Sequence, residues 1–453
     1  MYVFKYKEYE TVNRDQIKTV KFGGSSLSDA NQFMKVANII RADESRRYVV
    51  PSAPGKRYKD DTKVTDMLYK CNSLAEKGES IDIYFDGIKK RYNEIIKGLG
   101  LNDFSLESDF EIIKENIKNK AGSDYAASRG EYLNGKIMAA YIGYEFIDAA
   151  DVIFFTEDGK FDEEKTNAVL KGVLKTHARA VVPGFYGSKP DGKIKTFSRG
   201  GSDITGSIVA RACDADIYEN WTDVSGFLCA DPRIIDDPKP IEVITYRELR
   251  ELSYMGATVL HEDAIFPVRM VGIPVQIKNT NDPDAPGTLI VHKTDKVDTE
   301  RVITGIAGKK NFSVITLEQD MMNSAVGFGR KVLEVLEKHG MVFEHLPSGI
   351  DTMSIVLSTA QLEGHRDELI NELCRAVEPD CIYIEDNLAL LAVVGRGMVG
   401  ERGTAARVFG AIAKAGINLR MIDQGSSELN IIVGVDESEL EKAMKAIYEE
   451  FVK

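Results

Sequence analysis

LLAVVGRGMVG, Leu390 to Gly400, reads as an apolar strand that runs into Gly395-Arg-Gly397-Met-Val-Gly400, and a helical pattern follows it. Letter for letter this is the G-x-G-x-x-G fingerprint of a dinucleotide-binding turn. The fold of the chain depends on whether the match is real. A dinucleotide-binding domain needs two βαβαβ halves and an acidic residue about 20 positions after the glycines. Only 53 residues follow Gly400. The nearest acidic residue at a strand end is Asp423, and it does not fill that role. The glycines are therefore read as a tight strand-to-helix turn.

The stretch before Leu390 supplies the alternative. Phe328–Leu357 can be laid over Thr404–Val433 without a gap, at an offset of 76 residues. Val332 then falls on Val408, Leu336 on Ile412, Gly340 on Gly416, Gly349 on Gly425 and Ile355 on Ile431. Each copy has an apolar strand, a loop, an amphipathic helix ending at a glycine, and two further strands. Glycine suits that helix end because the left-handed conformation costs it nothing. Two copies of one βαββ-type unit predict paired small domains. Within this region HRDELIN (His365–Asn371) imitates a protein-kinase catalytic loop, but its Asn comes one residue early and no DFG exists. It reads as ordinary amphipathic helix.

Upstream, from about Lys18 to His292, short apolar strands alternate with helical patterns. TVKFGG, YVVPSAPG, AVVPGFYG and IPVQIKNT begin at Thr19, Tyr48, Ala180 and Ile273. Ala30–Ile40 and Gly130–Ile142 are helical patterns between them. This alternation predicts an α/β layer fold with a largely parallel sheet. The turn-rich and then polar run Asn279–Glu300 predicts a domain boundary near its end.

At 453 residues the chain has room for roughly three domains of about 150 residues. A net charge of −13 argues against general binding to nucleic acid or anionic membranes, both of which need basic faces. It leaves room for an anionic substrate held by a few local cations. Five scattered cysteines without a CxxC pair predict reduced thiols in the cytoplasm, with neither a disulfide framework nor a zinc site. MYVFKYKEYE is too charged for a signal peptide. No apolar run reaches the ~18 residues of a membrane span.

Four segments carry chemistry. VKFGGSSL places Lys21 before the pair Gly23 and Gly24, then hydroxyls and a helix. Such a turn offers backbone N–H groups and a helix N-terminus to an anion, though a plain glycine turn looks the same and the Walker A spacing is absent. TFSRGGSDITGSIVA gathers Arg199, Ser202 and Asp203 before a small-residue helix. Arg199 can fork onto a carboxylate, and Asp203 can orient a cation or a metal-bound phosphate. A simple helix cap is the alternative. WTDVSGFLCADPR sets Thr222, Asp223, Asp231 and Arg233 on loop-like sequence after a strand. That mixture suits a nucleotide and Mg²⁺, or merely a solvated hairpin. ASRGEYLNGKI puts Glu131 at a helix start, where an acidic side chain also complements the helix dipole.

Taken together and in this order, KFGGSS, SAPGK…KVTD, SRGE, FSRGGSD and WTDVSGF…DPR resemble the aspartate kinases of the amino-acid kinase superfamily. The resemblance runs from Lys18 to the end, and the two C-terminal repeats resemble ACT domains. It implies a three-layer αβα domain of the amino-acid-kinase type with a mainly parallel sheet, over residues 15–298. Two βαββαβ, ferredoxin-like ACT domains would follow: the first an insertion at 308–385, the second made of 300–307 and 386–453.

The implied reaction converts ATP and L-aspartate to 4-phospho-L-aspartate and ADP, the first step toward lysine, threonine and methionine. By resemblance, Lys21 and Asp203 are the catalytic pair. Ser52, Thr65, Glu131, Arg199 and Ser202 meet the aspartate; Glu131 takes its amino group and Arg199 its α-carboxylate. Lys21, Gly23, Gly24, Thr222, Asp223, Asp231 and Arg233 meet ATP. Mg²⁺ arrives on the ATP phosphates, with no protein metal site. The nucleophile, a carboxylate with a reference pKa of about 3.9, needs no general base. One departure stands out. Many relatives carry a Lys where this chain has Thr258, and a proline where it has Glu262. Another cation, such as Lys278 or Arg233, would have to replace that Lys.

For the ACT pair the resemblance implies feedback inhibition by an amino acid, lysine ahead of threonine. The effector residues would be Met322, Phe328, Gly329, Val342, Glu344 and Ser348, the alternative being that they only pack an ACT interface. It also implies a homodimer through the ACT domains, or a tetramer. Two rival readings remain: a kinase for another acidic amino acid, and a non-catalytic amino-acid sensor. A fused homoserine dehydrogenase half of about 350 residues does not fit the length.

Overall fold

The computed structural model describes residues 16–198, 200–257, 260, 262–293 and 301–452. The chain divides into two compact units, Met1–Gly226 with Leu260–His292, and Phe227–Val259 with Lys293–Lys453.

In chain order the strands are β1 (Lys18–Phe22), β2 (Arg46–Pro51), β3 (Glu145–Phe146), β4 (Ala180–Val181), β5 (Tyr186–Ser188), β6 (Ile194–Thr196) and β7 (Ile217–Thr222). Then come β8 (Val243–Thr245), β9 (Val275–Asn279), β10 (Thr288–Val291), β11 (Gly305–Glu318), β12 (Thr352–Ser358), β13 (Cys381–Val394), β14 (Met421–Asp423) and β15 (Asn430–Asp436).

The first unit orders its main sheet β3-β4-β2-β1-β7-β9-β10. Every neighbouring pair is parallel except β9 and β10. Alternation along β2 shows why helices cover both faces. Val49 joins a core with the helices Ala30–Arg41 and Asp82–Gly98, whereas Tyr48 and Val50 join a second core with the helices Glu163–Leu174 and Gly201–Ala212. A strand buried on both sides must present apolar residues at successive positions. The result is the three-layer αβα arrangement. From β1 the chain proceeds to β2 on one side and later returns to β7 on the other. β1 and β7 thus flank a topological switch point, the place where open α/β sheets hold ligands at their carboxyl edge.

One element differs from expectation. Gly130 marked a helix start, with Glu131 in its first turn. The helix in fact spans Ser123–Ile142, and Glu131 lies well inside it. Gly130 does not break the helix; it lets the helix pack close, since a Cβ there would sit 2.8 Å from Ala53 Cβ. Dipole complementation cannot explain an acid at that position.

The repeat is plain in the second unit. The helices Phe328–Lys338 and Thr404–Lys414 are 76 residues apart at both ends, and so are β11 and β13. Gly340 and Gly416 both take left-handed backbone, φ 65° and 68°. The sheet runs β12-β11-β13-β15-β14, with β11 and β13 antiparallel at its centre. HRDELIN opens the helix Arg366–Val377, as its amphipathic pattern requires.

The dinucleotide-like glycines have a steric purpose. Gly395 is extended, and a Cβ on it would fall 2.7 Å from Val302 O and Ile303 Cα; one on Gly397 would fall 2.7 Å from Val302 O. The backbone at 301–304 passes where side chains would stand. Arg396 between them binds Glu248, its Nη1 2.9 Å from Oε2. Burial raises the pKa of Glu248, but hydrogen bonds from Thr304, Thr245 and Arg396 outweigh it and hold the carboxyl below its usual range. Gly395→Ala is expected to cost about 1–3 kcal/mol through forced backbone displacement, read as a lower urea midpoint. An unchanged midpoint would show that the close approach is not constraining.

Candidate active site

Lys21 is the penultimate residue of β1 and is 7% exposed. Its Nζ lies 2.6 Å from Asp203 Oδ1 and 3.5 Å from Asn220 Oδ1. Asn220, beside Lys21 in register on β7, donates its Nδ2 to the same Asp203 oxygen at 2.8 Å. Tyr218 OH donates to the Asp203 carbonyl. Asp203 sits in the first turn of the helix Gly201–Ala212. One cation is thereby aimed from a central strand at the helix N-terminus, across the switch point.

The glycine turn follows at once. Gly23 N–H donates to Trp221 O at 3.0 Å, so this amide is committed to the fold. Gly24 is under the tighter constraint, because a Cβ would stand 2.8 Å from Ala53 O and close to Gly55. The turn leads through Ser25–Leu27 into the helix Ala30–Arg41.

The second loop leaves β2. Ser52 N donates to Phe22 O, and Asn134 Nδ2 holds Ser52 O at 2.6 Å. Ala53 links the halves: its carbonyl abuts Gly24 and its N–H binds the Glu131 carboxylate. Thr65 stands in the first turn of the helix Val64–Glu76, its Oγ1 3.8 Å from where a Gly130 Cβ would be. Glu131 is 5% exposed, and its Oε2 has no hydrogen-bond partner among the described residues. Burial pushes its pKa up to about 8, against the Ala53 N–H and the charge of Arg129. An ionisable oxygen left unpaired in the interior is costly unless something else pairs it. Arg129, next in the chain, lies over the rings of Tyr125, Tyr132 and Tyr186 at 4.9, 4.6 and 5.0 Å.

Ser202 is buried against Gly184 after β4, where a Cβ would meet it at 2.6 Å. Thr222 ends β7, and its Oγ1 lies 3.2 Å from Asp223 Oδ1. Lys278 on β9 sits beside Trp221 in register, its Nζ 5.2 Å from the ring centroid. Lys21, Gly23, Gly24, Ser52, Thr65, Glu131, Ser202, Asp203, Thr222 and Asp223 all belong to the first unit. Asp231 and Arg233 belong to the second and pair with each other at 2.5 Å. Arg199 and Thr258 lie outside the described residues.

Asn220 and Asn134 were missed from the sequence. A buried amide inside an apolar strand, in IYENWT, was the available signal for Asn220. Asn134 lies three residues after Glu131 and so shares its helix face.

In the second unit Met322 and Phe328 are buried in the core formed by Ile315, Val332 and Ile355. Gly329 follows in the first turn of that helix. Val342 is 70% exposed, its backbone bracketed by Gln361. Glu344 Oε2 is buried without a hydrogen-bond partner among the described residues. Glu344 also faces Tyr254, whose hydroxyl is pushed up to about 12, first by burial and then by this carboxylate. Ser348 Oγ donates to Leu346 O.

Residues 16–279 match the model of the amino acid kinase family, and residues 391–451 match an ACT domain. Aspartokinase 3 of Bacillus subtilis (strain 168) is 40% identical over 449 residues, 96% of this chain and 98% of its own. The crystal structure of Clostridium acetobutylicum aspartate kinase superposes with a TM-score of 0.89 at 54% identity, over 96% of this chain and 100% of that one. E. coli aspartokinase III, solved with lysine and aspartate, gives a TM-score of 0.73 at 26% identity, over 97% and 100% of the two chains. The same enzyme solved with aspartate and ADP gives 0.73 at 25%, with the same coverage. With Lys21 on a mainly parallel sheet meeting Asp203 at the switch point, and ACT repeats later in the chain, the chain belongs to the aspartokinases of the amino acid kinase family.

Proposed function

We propose that Lys21, Asp203 and Asn220 form the phosphoryl-transfer centre of an aspartokinase reaction, in which the γ-phosphoryl of ATP passes to the side-chain carboxylate of L-aspartate. The Lys21–Asp203 contact at the switch point is the observation that carries this reading. The nucleophile is already ionised. The difficulty is bringing it to a polyanion, where each pair of unit charges at ~4 Å costs about 4 kcal/mol at an effective dielectric of 20. Lys21 offsets part of that, and Asn220 and Asp203 fix its direction. Gly24 and the turn after it present backbone to the phosphates, while Gly23 shapes the turn. Thr222, Asp223, Asp231 and Arg233 bind the nucleotide. Mg²⁺ comes with ATP and neutralises phosphate charge, and the carboxylate of Asp203 fits such a hard cation. Glu131 receives the aspartate ammonium, Arg199 its α-carboxylate, and Ser52, Thr65 and Ser202 its remaining polar atoms. Lys278, beside Trp221, takes the place of the relatives' Lys at position 258.

The catalytic domain is assigned to 15–298, with the first ACT domain (308–385) inserted into the second (300–307 and 386–453). Support comes from β11: Gly305–Lys309 pairs only with the end of β13, whereas Phe312–Glu318 pairs with β12 and the start of β13. Lysine binds the first ACT half, where Glu344 offers an unpaired buried oxygen to an ammonium. The chains pair through these domains in the cytoplasm, consistent with five cysteines that form no disulfide.

One assay tests the whole reading. With Mg²⁺, ATP and hydroxylamine, which displaces phosphate from an acyl phosphate, L-aspartate should yield hydroxamate and L-glutamate should not. Millimolar lysine should suppress the signal, and threonine should do so less. Turnover of glutamate, or none of aspartate, would overturn the activity. Indifference of both rate and melting temperature to the two effectors would overturn the sensor.

A further inference from the structure

The motif HRDELIN has no part in the kinase reaction, yet it places two metal-binding side chains beside a third. His339 caps the C-terminus of the helix Phe328–Lys338, and His365 caps the N-terminus of the helix Arg366–Val377, with Glu368 in its first turn. One ligand atom from each of His339, His365 and Glu368 can be chosen so that all lie within 4.8 Å of one another. The two helices pack together in one half of the second unit.

His339 gives the independent observation. Its side chain is only 10% exposed, and its Nε2 is buried without a hydrogen-bond partner among the described residues. The nearest carboxylate oxygen, Glu372 Oε2, is 3.5 Å away and already holds Lys338 Nζ at 2.9 Å. A long contact with a carboxylate already engaged by Lys338 leaves this buried imidazole nitrogen weakly held.

We propose that His339, His365 and Glu368 bind a divalent transition-metal ion of the zinc type, a site separate from the catalytic Mg²⁺. Two imidazoles and a carboxylate favour zinc and its neighbours over Mg²⁺, which prefers oxygen donors. Zinc–nitrogen bonds of about 2.0–2.1 Å bring tetrahedral ligands to roughly 3.3 Å from one another. Reaching that spacing takes movement of about 1.5 Å, which the exposed His365 and Glu368 can supply by changing rotamer. Glu372 or water completes the set. The ion would clamp the C-terminus of one helix to the N-terminus of the other.

The full-length protein, stripped with chelator, is titrated calorimetrically with Zn²⁺ alone and then with Mg²⁺ alone. The expected result is one Zn²⁺ per chain at micromolar or tighter affinity, no Mg²⁺ at that site, and a weakening of at least about tenfold in both H365A and E368Q. Both substitutions fall on exposed side chains, so folding is not at risk. Co²⁺ should give the visible band of a tetrahedral site in the wild type, and not in H365A. Wild-type affinity in both variants overturns the proposal. So does a thiolate charge-transfer band that survives in H365A, which would place the ion on cysteine.

Discussion

Lys21→Met is expected to lower kcat at least ~100-fold while KM for aspartate changes by no more than about threefold. The reason lies in what Lys21 touches. Its ammonium meets Asp203 and Asn220, neither of which is assigned to the amino acid, so its charge acts on the phosphoryl group in flight. Interactions that strengthen only in the transition state appear in kcat. Removing one well-placed group in a water-poor site typically costs 10²–10³ in rate, or about 3–4 kcal/mol. Met keeps most of the side-chain volume, so β1 should retain its packing against β2 and β7. Asp203, left without its cation, is about one-fifth exposed and can recruit water. The variant should therefore melt within a few degrees of wild type. Near-normal turnover in a folded Lys21→Met would remove this residue from the mechanism. A fallen KM with unchanged kcat would instead assign it to substrate binding.

The parts of this site that the sequence exposed are those where one residue type has one job. Gly24 is readable because a strand running into paired glycines signals close backbone approach, and the Ala53 carbonyl is indeed there. The 76-residue repeat is readable because β11 and β13, and the helices that follow, each kept their length. It also accounts for the dinucleotide-like glycines, whose neighbour across space is Val302. Glu131 was placed wrongly because Gly130 ordinarily punctuates a helix. Only the position of Ala53, some 77 residues earlier in the chain, shows that this glycine is an interior contact. Asn220 and Asn134 leave only faint marks in one dimension, since a buried amide takes its meaning from partners on other elements. The grouping of Phe227–Val259 with the C-terminal unit has no compositional mark; it depends on Glu248 reaching Thr304 and Arg396.

Glu131→Gln is expected to raise KM for aspartate about 10- to 100-fold at pH 8.5 with little change in kcat, and to leave the protein at least as stable. The two effects share one cause. The carboxyl is fully buried, and that burial lifts its pKa from 4.5 to about 8. Below about pH 4.5 both folded and unfolded chains hold the proton, and the group contributes nothing to stability. Between 4.5 and 8 the folded chain keeps a proton that the unfolded chain releases, so stability falls as pH rises through this window. Above 8 the full cost is present, on the order of a few kcal/mol. An arriving ammonium reverses the balance by pairing with Oε2, worth about 1.5–3 kcal/mol for a charged hydrogen bond. Binding therefore needs the ionised form. KM for aspartate in the wild type should drop by up to about tenfold per unit from pH 6 to 8 and then level off. In Glu131→Gln it should be flat with pH, because the amide does not titrate. The melting temperature of the variant should equal or exceed that of wild type at pH 8.5, and the difference should shrink at pH 5. A KM unaffected by the substitution would dismiss Glu131 as the ammonium's partner. A flat wild-type KM alongside an impaired variant would keep the contact but place the carboxyl's ionisation well below pH 6, with the buried charge paired by something other than substrate.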